Sequence, residues 1–552
     1  MEPARRALIR GRTGRAALIA LPLAFLGAFF AYPLIAILGR GLVPRGHVDF
    51  AAIGDVLSDS SLREVAWFTL WQALLSTALT LVIGLPAAFV VARFAFRGRM
   101  LVRSLLVVPF VLPTVVAAAA FEALLGSGGP LASLHLLPGL AAILIAHVFF
   151  NVAVVVRVVG AVWTNLDPAV EDSARMLGAS RLRTFTDVTL PLLAPAIVAA
   201  SSIVFLFTFS SFGIVLLLGG PARSTLETEI YLRTTELLDL RHAAALAVVQ
   251  IVAVVGALLL LTRVQDRMAI GQRQVSGRDT ARPPRSIGAR AFLAVTLGGL
   301  GLLLGVPLLM LVVRSFSNGG SGGGPSLAAY RALSQPGSAL FVSPLVAVRN
   351  SLLFALLATV IALVVGGAAA FALAPRRTGA RRALDVLLML PLGTSAVTIG
   401  FGFLIALDRP PLDLRSSPLL IPLAHAIVAI PFVVRAVVPG LRSIDPRLRE
   451  SAAMLGASPA RVAREVDLPI VGRAFMVAAG FAAAVSLGDF GATAFIARPD
   501  SPTVPIAIFR LLSLPGRLNF DRAMALSTVL MLLTALVVVG LERLRVGALT
   551  EF

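Results

Sequence analysis

Lysine and cysteine are both missing from this chain of 552 residues. A phosphate-binding loop of the P-loop type needs a lysine to reach the nucleotide's phosphates, so the chain is not expected to hydrolyse ATP; an integral-membrane enzyme of another kind would need a clustered catalytic constellation on one membrane face, and the sequence offers none. Without cysteine there is no disulfide framework and no thiolate metal site. Histidine is scarce: His47, His135, His147, His242 and His425 form no close pair at metal-ligand spacing, so no metal and no cofactor is expected in this chain. Charge is scarce too. Only 14% of residues are charged against 58% hydrophobic, and the mean hydropathy of +0.93 excludes an ordinary soluble globular protein.

What is present is a succession of apolar runs of about 20 residues, long enough at ~1.5 Å per residue to cross ~30 Å of hydrocarbon. Twelve spans are predicted. Six in the first half cover 16–38, 67–92, 104–125, 139–161, 191–218 and 242–262; six in the second cover 291–313, 347–373, 385–407, 418–440, 469–496 and 522–541. The fold class expected is therefore an all-α polytopic membrane protein. The first run lacks a small-residue cleavage site and is read as a retained span rather than a signal peptide. Segments outside the spans are short; the longest, 314–346, holds the flexible stretch Gly319 to Gly324.

All basic charge is arginine, and the formal net charge of +20 has a topological cause. Arg5, Arg6, Arg10, Arg12 and Arg15 precede the first span. Arg93, Arg97, Arg99 and Arg103 fill one short loop, and Arg376, Arg377, Arg381 and Arg382 fill its counterpart. The positive-inside rule puts these loops and the N-terminus on the cytoplasmic side, in contact with lipid and not with nucleic acid.

The chain is also duplicated. Leu166-Asp-Pro-Ala-Val-Glu-Asp-Ser-Ala-Arg-Met-Leu-Gly-Ala-Ser180 returns as Ile444-Asp-Pro-Arg-Leu-Arg-Glu-Ser-Ala-Ala-Met-Leu-Gly-Ala-Ser458, each followed by Leu-Pro at 190–191 and 468–469. The separation is 278 positions (445 − 167, 456 − 178), and it also relates Pro113 to Pro391, His147 to His425, Arg157 to Arg435 and Phe212-Gly213 to Phe490-Gly491. Chance matches among apolar helices would not keep one register across several loops. Residues 1–262 form one six-span repeat, 263–290 a basic linker broken by Pro283-Pro284, and 291–552 a second repeat. Six spans return the chain to its starting side, so the repeats are parallel.

Each duplicated loop, 166–191 and 444–469, reads as a short helix. Asp167 and Asp445 are N-caps ahead of proline at the first helical position, and Gly178 and Gly456 stand where a left-handed C-cap belongs. Val170, Ala174 and Leu177, and likewise Leu448, Ala452 and Leu455, fall on one stripe suited to a partner's groove. The plain alternative is an amphipathic connector lying among headgroups; its occurrence twice in register favours docking.

Polar groups within the spans mark a candidate translocation path. Asp489 lies inside an apolar run, where an ionisable side chain usually faces a cavity or a partner. Its alternative role is a structural hydrogen bond to a neighbouring helix at a Gly488/Gly491 kink. Ser211, Phe212 and Phe490 neighbour it or its repeat position. Glu227 and Glu229, ahead of Tyr231, either meet a cationic substrate or a binding protein, or lie on a solvated outer face. His147 and His425 read as helix-packing donors.

Asp172-Ser173-Ala174 leading to Leu177-Gly178, and Glu450-Ser451-Ala452 leading to Leu455-Gly456, resemble the EAA loop of permeases of binding-protein-dependent ABC importers. Asp172 replaces the usual glutamate, and Ser173 and Ser451 replace the usual first alanine. The resemblance runs over essentially the whole chain. It implies a type I importer permease of the bacterial cytoplasmic membrane, coupling helices seated in two copies of an ATP-binding subunit, ATP and magnesium on that subunit, and an extracytoplasmic solute-binding protein. Phe209 to Pro221, Thr225 to Tyr231, His147 to Asn151 and Ser486 to Gly491 further resemble the thiamine and thiamine pyrophosphate permeases, with the ferric-iron permeases next. An ion-driven secondary transporter is the rival from another class; it would want several buried carboxylates, whereas Asp489 pairs by repeat with a serine.

Overall fold

The computed structural model describes residues 18–43, 51–268, 281–317, 324–337, 340–374, 379–408 and 412–546. The arginines before residue 18, His47, most of the Gly319–Gly324 insert and Arg376 and Arg377 lie outside the described residues.

Helices account for nearly all of the described structure. In chain order they are α1 (Leu18–Leu42), α2 (Ala51–Ser58), α3 (Ser60–Arg93), α4 (Arg99–Val111), α5 (Thr114–Leu125), α6 (Leu140–Asn165), α7 (Pro168–Met176), α8 (Arg181–Phe209), α9 (Gly213–Leu218), α10 (Leu226–Thr235) and α11 (Leu240–Met268). They continue with α12 (Ile287–Ser315), α13 (Ala328–Ala332), α14 (Pro344–Leu373), α15 (Arg381–Gly393), α16 (Ala396–Ala406), α17 (Leu420–Ser443), α18 (Pro446–Met454), α19 (Pro459–Gly488), α20 (Thr493–Ile496), α21 (Val504–Ser513) and α22 (Arg517–Val546). Among the described residues, ten helices are long and apolar enough to cross a membrane, and two bent pairs raise the number to twelve if each pair is one span.

Two packing units divide the chain. One is Ala51–Arg233 with Leu246–Ser326; the other is Met1–Phe50, Thr234–Ala245 and Leu327–Phe552. These are not the same division as the sequence repeats, because each repeat's lead helix is built into the unit that carries most of the other repeat. In the first unit α12 packs on α5 and α3, and in the second α1 packs on α16. A methyl group added at Gly402 would stand 3.0 Å from Pro33 Cβ, which shows how closely α1 lies there. The middle of each unit is the repeat's fourth span: α6 and α17 each have 72% of their apolar window buried, against 22% for α1 and 17% for α12. The lead helices therefore leave most of their surface to lipid.

Small residues bring the central helices together, as they must where lipid supplies no hydrophobic drive. A Cβ at Gly84 of α3 would lie 2.7 Å from Val155 Cβ of α6; a Cβ at Gly366 of α14 would lie 2.9 Å from Val433 Cβ of α17. Val155 and Val433 keep the 278 spacing, but the glycines differ by 282 (366 − 84). The loop before Pro391 is thus four residues shorter than the one before Pro113, and the gapless register read from the sequence begins only after it.

The span predictions need two corrections. Runs 104–125 and 385–407 are not straight: α4 and α5 meet at 101°, α15 and α16 at 97°. Leu112 is extended (ψ 141°) because it precedes Pro113, which disfavours the helical region. At the second break Thr394 and Ser395 are extended, and the Ser395 hydroxyl accepts from Val397 N to start α16 anew. Runs 191–218 and 469–496 are also interrupted, at Ser210–Phe212 and at Asp489–Ala492. Outer segments read as loops hold the short helices α10 and α21. Each start is held by a hydroxyl from a neighbouring span: Leu226 N donates to Thr69 Oγ1 (3.0 Å) and Val504 N to Ser351 Oγ (2.8 Å).

Candidate coupling loops and buried polar nodes

The duplicated loops fold alike down to their hydrogen bonds. Asp167 Oδ1 accepts from Ala169 N and Asp445 Oδ1 from Arg447 N, both at 2.9 Å, with proline opening each helix. At the other end Gly178 (φ +88°) and Gly456 (φ +82°) are left-handed. Gly178 N donates to Arg175 O while Ala179 N reaches back to Ala174 O; Gly456 N and Ala457 N do the same to Ala453 O and Ala452 O. This pair of bonds is the Schellman turn, and it closes the carbonyls that a helix end leaves open.

That turn decides what each loop presents. Leu177 and Leu455 are 90% and 89% exposed, and Met176 and Met454, just before them, are 90% exposed. Val170 and Leu448 are about half exposed, and Ala174 and Ala452 are partly covered. The predicted stripe is therefore present only in part. The methionines escaped it because they fall off the i, i+4, i+7 spacing; a Met-Leu pair immediately before the C-cap glycine was the available signal. Ser173, Glu450 and Ser451 are exposed, and Asp172 is half-buried between Arg175 (3.9 Å) and Arg282 of the linker (3.6 Å).

Behind each tip the coupling helix is tied to its own unit by a polar contact. In the first, Glu171 Oε1 accepts from Thr189 Oγ1 (2.9 Å) and from Arg93 (3.2 Å), whose other nitrogen donates to Leu166 O. In the second, Arg449 Nε donates to Asp467 Oδ1 (2.7 Å) and Nη2 to Leu441 O (3.0 Å). Thr189 and Asp467 each end a π-helical turn, Phe185–Thr189 and Ala463–Asp467, near the start of α8 and α19. Some arginines counted for topology also have local work: Arg99 and Arg103 donate to Val91 O and Ala92 O, carbonyls at the end of α3.

Deeper in each unit a histidine of the fourth span joins the helix breaks. His147 Nδ1 shares a hydrogen bond with Ser76 Oγ (2.8 Å) and Nε2 with Ser211 Oγ (2.9 Å). His425 Nδ1 bonds Ser486 Oγ (2.7 Å), and Nε2 bonds Thr493 Oγ1 (2.9 Å) and lies 3.3 Å from Asp489 Oδ2. Asp489 is thus not inside a continuous helix. It occupies the break, where Oδ2 accepts from Thr493 N (3.0 Å) and Oγ1 (2.8 Å), starting α20. Its hydrogen bonds are thus local, to Thr493 four residues on, and its contact with a neighbouring helix is the approach of His425; both histidines bond across helices.

The remaining candidate path residues are covered in this conformation. Phe212 meets Tyr231 edge-on and Phe490 packs on Phe509, both within their own unit. Glu227 is fully buried and accepts from Gln250 Nε2, which removes the solvated outer face as its setting. Glu229 is mostly covered and pairs with Arg233 at 2.8 Å. Among the described residues, no three His, Cys, Asp or Glu side chains come together as a metal site would need.

Comparison with known proteins agrees with this architecture. Residues 80–269, which include the first coupling loop, match the family described as binding-protein-dependent transport system inner membrane component. The thiamine transport system permease protein ThiP of Escherichia coli is 28% identical over 500 residues, 89% of this chain and 90% of that one. The ABC transporter permease y4fN of Sinorhizobium fredii, whose name gives no substrate, is 25% identical over 95% of both chains. PhnV of Salmonella typhimurium, named for 2-aminoethylphosphonate transport, is 33% identical over 198 residues, 36% of this chain and 74% of that protein. Family match, helical architecture and whole-length similarity converge: the chain belongs to the binding-protein-dependent transport system inner membrane components, as the non-enzymatic, multi-pass permease of an ABC importer that works with an ABC ATPase and a binding protein.

Proposed function

We propose that this permease imports thiamine or thiamine pyrophosphate across a bacterial cytoplasmic membrane, with its N-terminus in the cytoplasm. The substrate is supported by the 28% identity to ThiP over nine-tenths of each chain. The coupling role is carried by one observation: two loops of equal geometry, 278 positions apart, each ending in a Met-Leu pair about nine-tenths exposed.

Two copies of one ATPase subunit grip the chain, one at Asp167, Asp172, Ser173, Ala174, Leu177 and Gly178, the other at Asp445, Glu450, Ser451, Ala452, Leu455 and Gly456. ATP and magnesium reside on those subunits. A binding protein delivers cargo to the outer face, and closure of the ATPases drives the parallel repeats through alternating access. Asp489, Ser211, Phe212 and Phe490 flank the midspan breaks, with Glu227 and Glu229 at the outer helix α10. All six are half-buried or buried here, so the helices carrying them must part before cargo can meet them.

The test is uptake of labelled thiamine and of labelled ferric iron in cells with and without this chain and its ATPase. Loss of thiamine uptake alone is the expected result. Loss of iron uptake instead transfers the chain to the ferric-iron permeases, and undiminished uptake without any ATPase would make it an ion-driven carrier.

A further inference from the structure

We infer that each coupling helix transmits its displacement through a polar latch onto a π-helical turn: Glu171 with Thr189 in the first copy, Arg449 with Asp467 in the second. The inference rests on the coupling-loop reading above and names positioning residues that act behind the docking surface.

Three observations support it. The latches occupy equivalent positions, since 449 − 171 and 467 − 189 both equal 278, yet the chemistry is reversed. An acid on the coupling helix accepts from a hydroxyl in one copy, and a base on the coupling helix donates to an acid in the other. A contact kept in place while both of its residues differ is being held for the contact. Its inner member is buried in both copies, Thr189 being 3% and Asp467 7% exposed; losing the partner strands the Asp467 carboxylate away from water, while Thr189 falls back on a long bond to Thr184 O (3.5 Å).

The π turns supply the third observation. Such turns make up well under 1% of residues and cluster at functional sites. Here they recur at equivalent stretches, Phe185–Thr189 and Ala463–Asp467, and each ends on its latch residue. A π turn carries one more residue than an α turn, so pinning its last side chain fixes the register of the helix beyond. That helix runs on to Phe209 in α8 and Gly488 in α19, next to the residues bonded to His147 and His425. Tip, latch, helix and histidine node thus form one continuous line in each unit. With the latch open the π turn can absorb a push on the tip, and the helix beyond stays still.

The absence of native cysteine makes the test direct. Full-length permease carrying single cysteines at Met476 and Leu356, both on exposed faces of the second unit, is spin-labelled and reconstituted in nanodiscs with its ATPase. ATPase affinity and the ATP-driven change in label separation are measured for the parent, Asp467→Leu, Arg449→Gln, and the exchanged pair Arg449→Asp with Asp467→Arg. In the first copy, Thr189→Val removes only the hydroxyl donor, with labels at Phe207 and Leu74. Each single variant is expected to bind ATPase within about threefold of the parent while its ATP-driven change falls by more than half; the exchanged pair restores it.

An unchanged movement in Asp467→Leu and Thr189→Val overturns the latch. So does a loss of movement that merely follows a loss of ATPase affinity, or an exchanged pair that melts like the parent without restoring movement. If the parent itself fails to bind ATPase, the coupling-loop assignment has failed instead, and the two failures are told apart.

Discussion

Replacing Gly456 separates two ways in which a coupling loop could depend on glycine. Nothing lies within 4 Å of a Cβ built at Gly456 or Gly178, so a larger side chain meets no atom of the permease. The cost is conformational: at φ +82° an L-residue other than glycine or asparagine pays roughly 1–2 kcal/mol. That energy is set against the Schellman bonds holding Met454 and Leu455 outward, and it shifts the population of the presented tip by a factor of about 5–30. Affinity for the ATPase, measured by titrating labelled ATPase onto nanodisc-embedded permease with Gly178→Ala already in place, should fall by up to that factor in Gly456→Ala. The loss should be smaller in Gly456→Asn and somewhat larger in Gly456→Val, with insertion into the membrane unchanged in all three. An effect that scales with side-chain size, with alanine harmless and valine and asparagine equally damaging, would refute the backbone argument and point to a collision with the partner's groove.

Other consequences can be tested alongside. Met454→Ala with Leu455→Ala removes the exposed pair without touching the cap, and should weaken ATPase binding at that loop by at least about 2 kcal/mol, some 30-fold, in the same titration. Gly366→Ala should lower the melting temperature through overpacking worth ~1–3 kcal/mol, because Val433 Cβ, 2.9 Å from the added carbon, is fixed to its helix; an unchanged melting temperature would deny the close approach. Asp489→Asn keeps an acceptor for Thr493 and should melt nearly as the parent does. Asp489→Leu strands Thr493 N and should cost ~1–3 kcal/mol, read as a lower melting temperature together with reduced thiamine uptake.

The features legible in the sequence are the local ones. Capping aspartates, N1 prolines and C-cap glycines act within four residues, so both coupling helices could be placed almost to the residue. Hydropathy found the membrane-crossing runs because it reports composition; it is blind to direction, and so it passed over the sharp bends at Leu112 and Thr394. The first bend had a signal in the pre-proline position. The second had Pro391 and Gly393 just before the serine cap, punctuation that hydropathy does not read. The histidine nodes were illegible for another reason: His147 and His425 find partners 61 to 71 positions away, and no periodicity encodes such a pairing. Glu227 failed the same way, since Gln250, 23 positions on, is what lets a carboxylate sit in a buried helix. The latch residues were visible as letters, but the change from Glu171 to Arg449 looks like drift until Thr189 and Asp467 are seen opposite them.

The exchange of lead helices imposes an order on synthesis. Helix α1 is made well before the bundle it packs into, from Leu327 onward; until then it must wait in the bilayer without those partners. The first bundle is likewise unfinished until α12 emerges beyond the linker. A gene cut within 269–280 should therefore give two fragments that each insert but mature only when made together, and a fragment that reached its full melting temperature alone would contradict this.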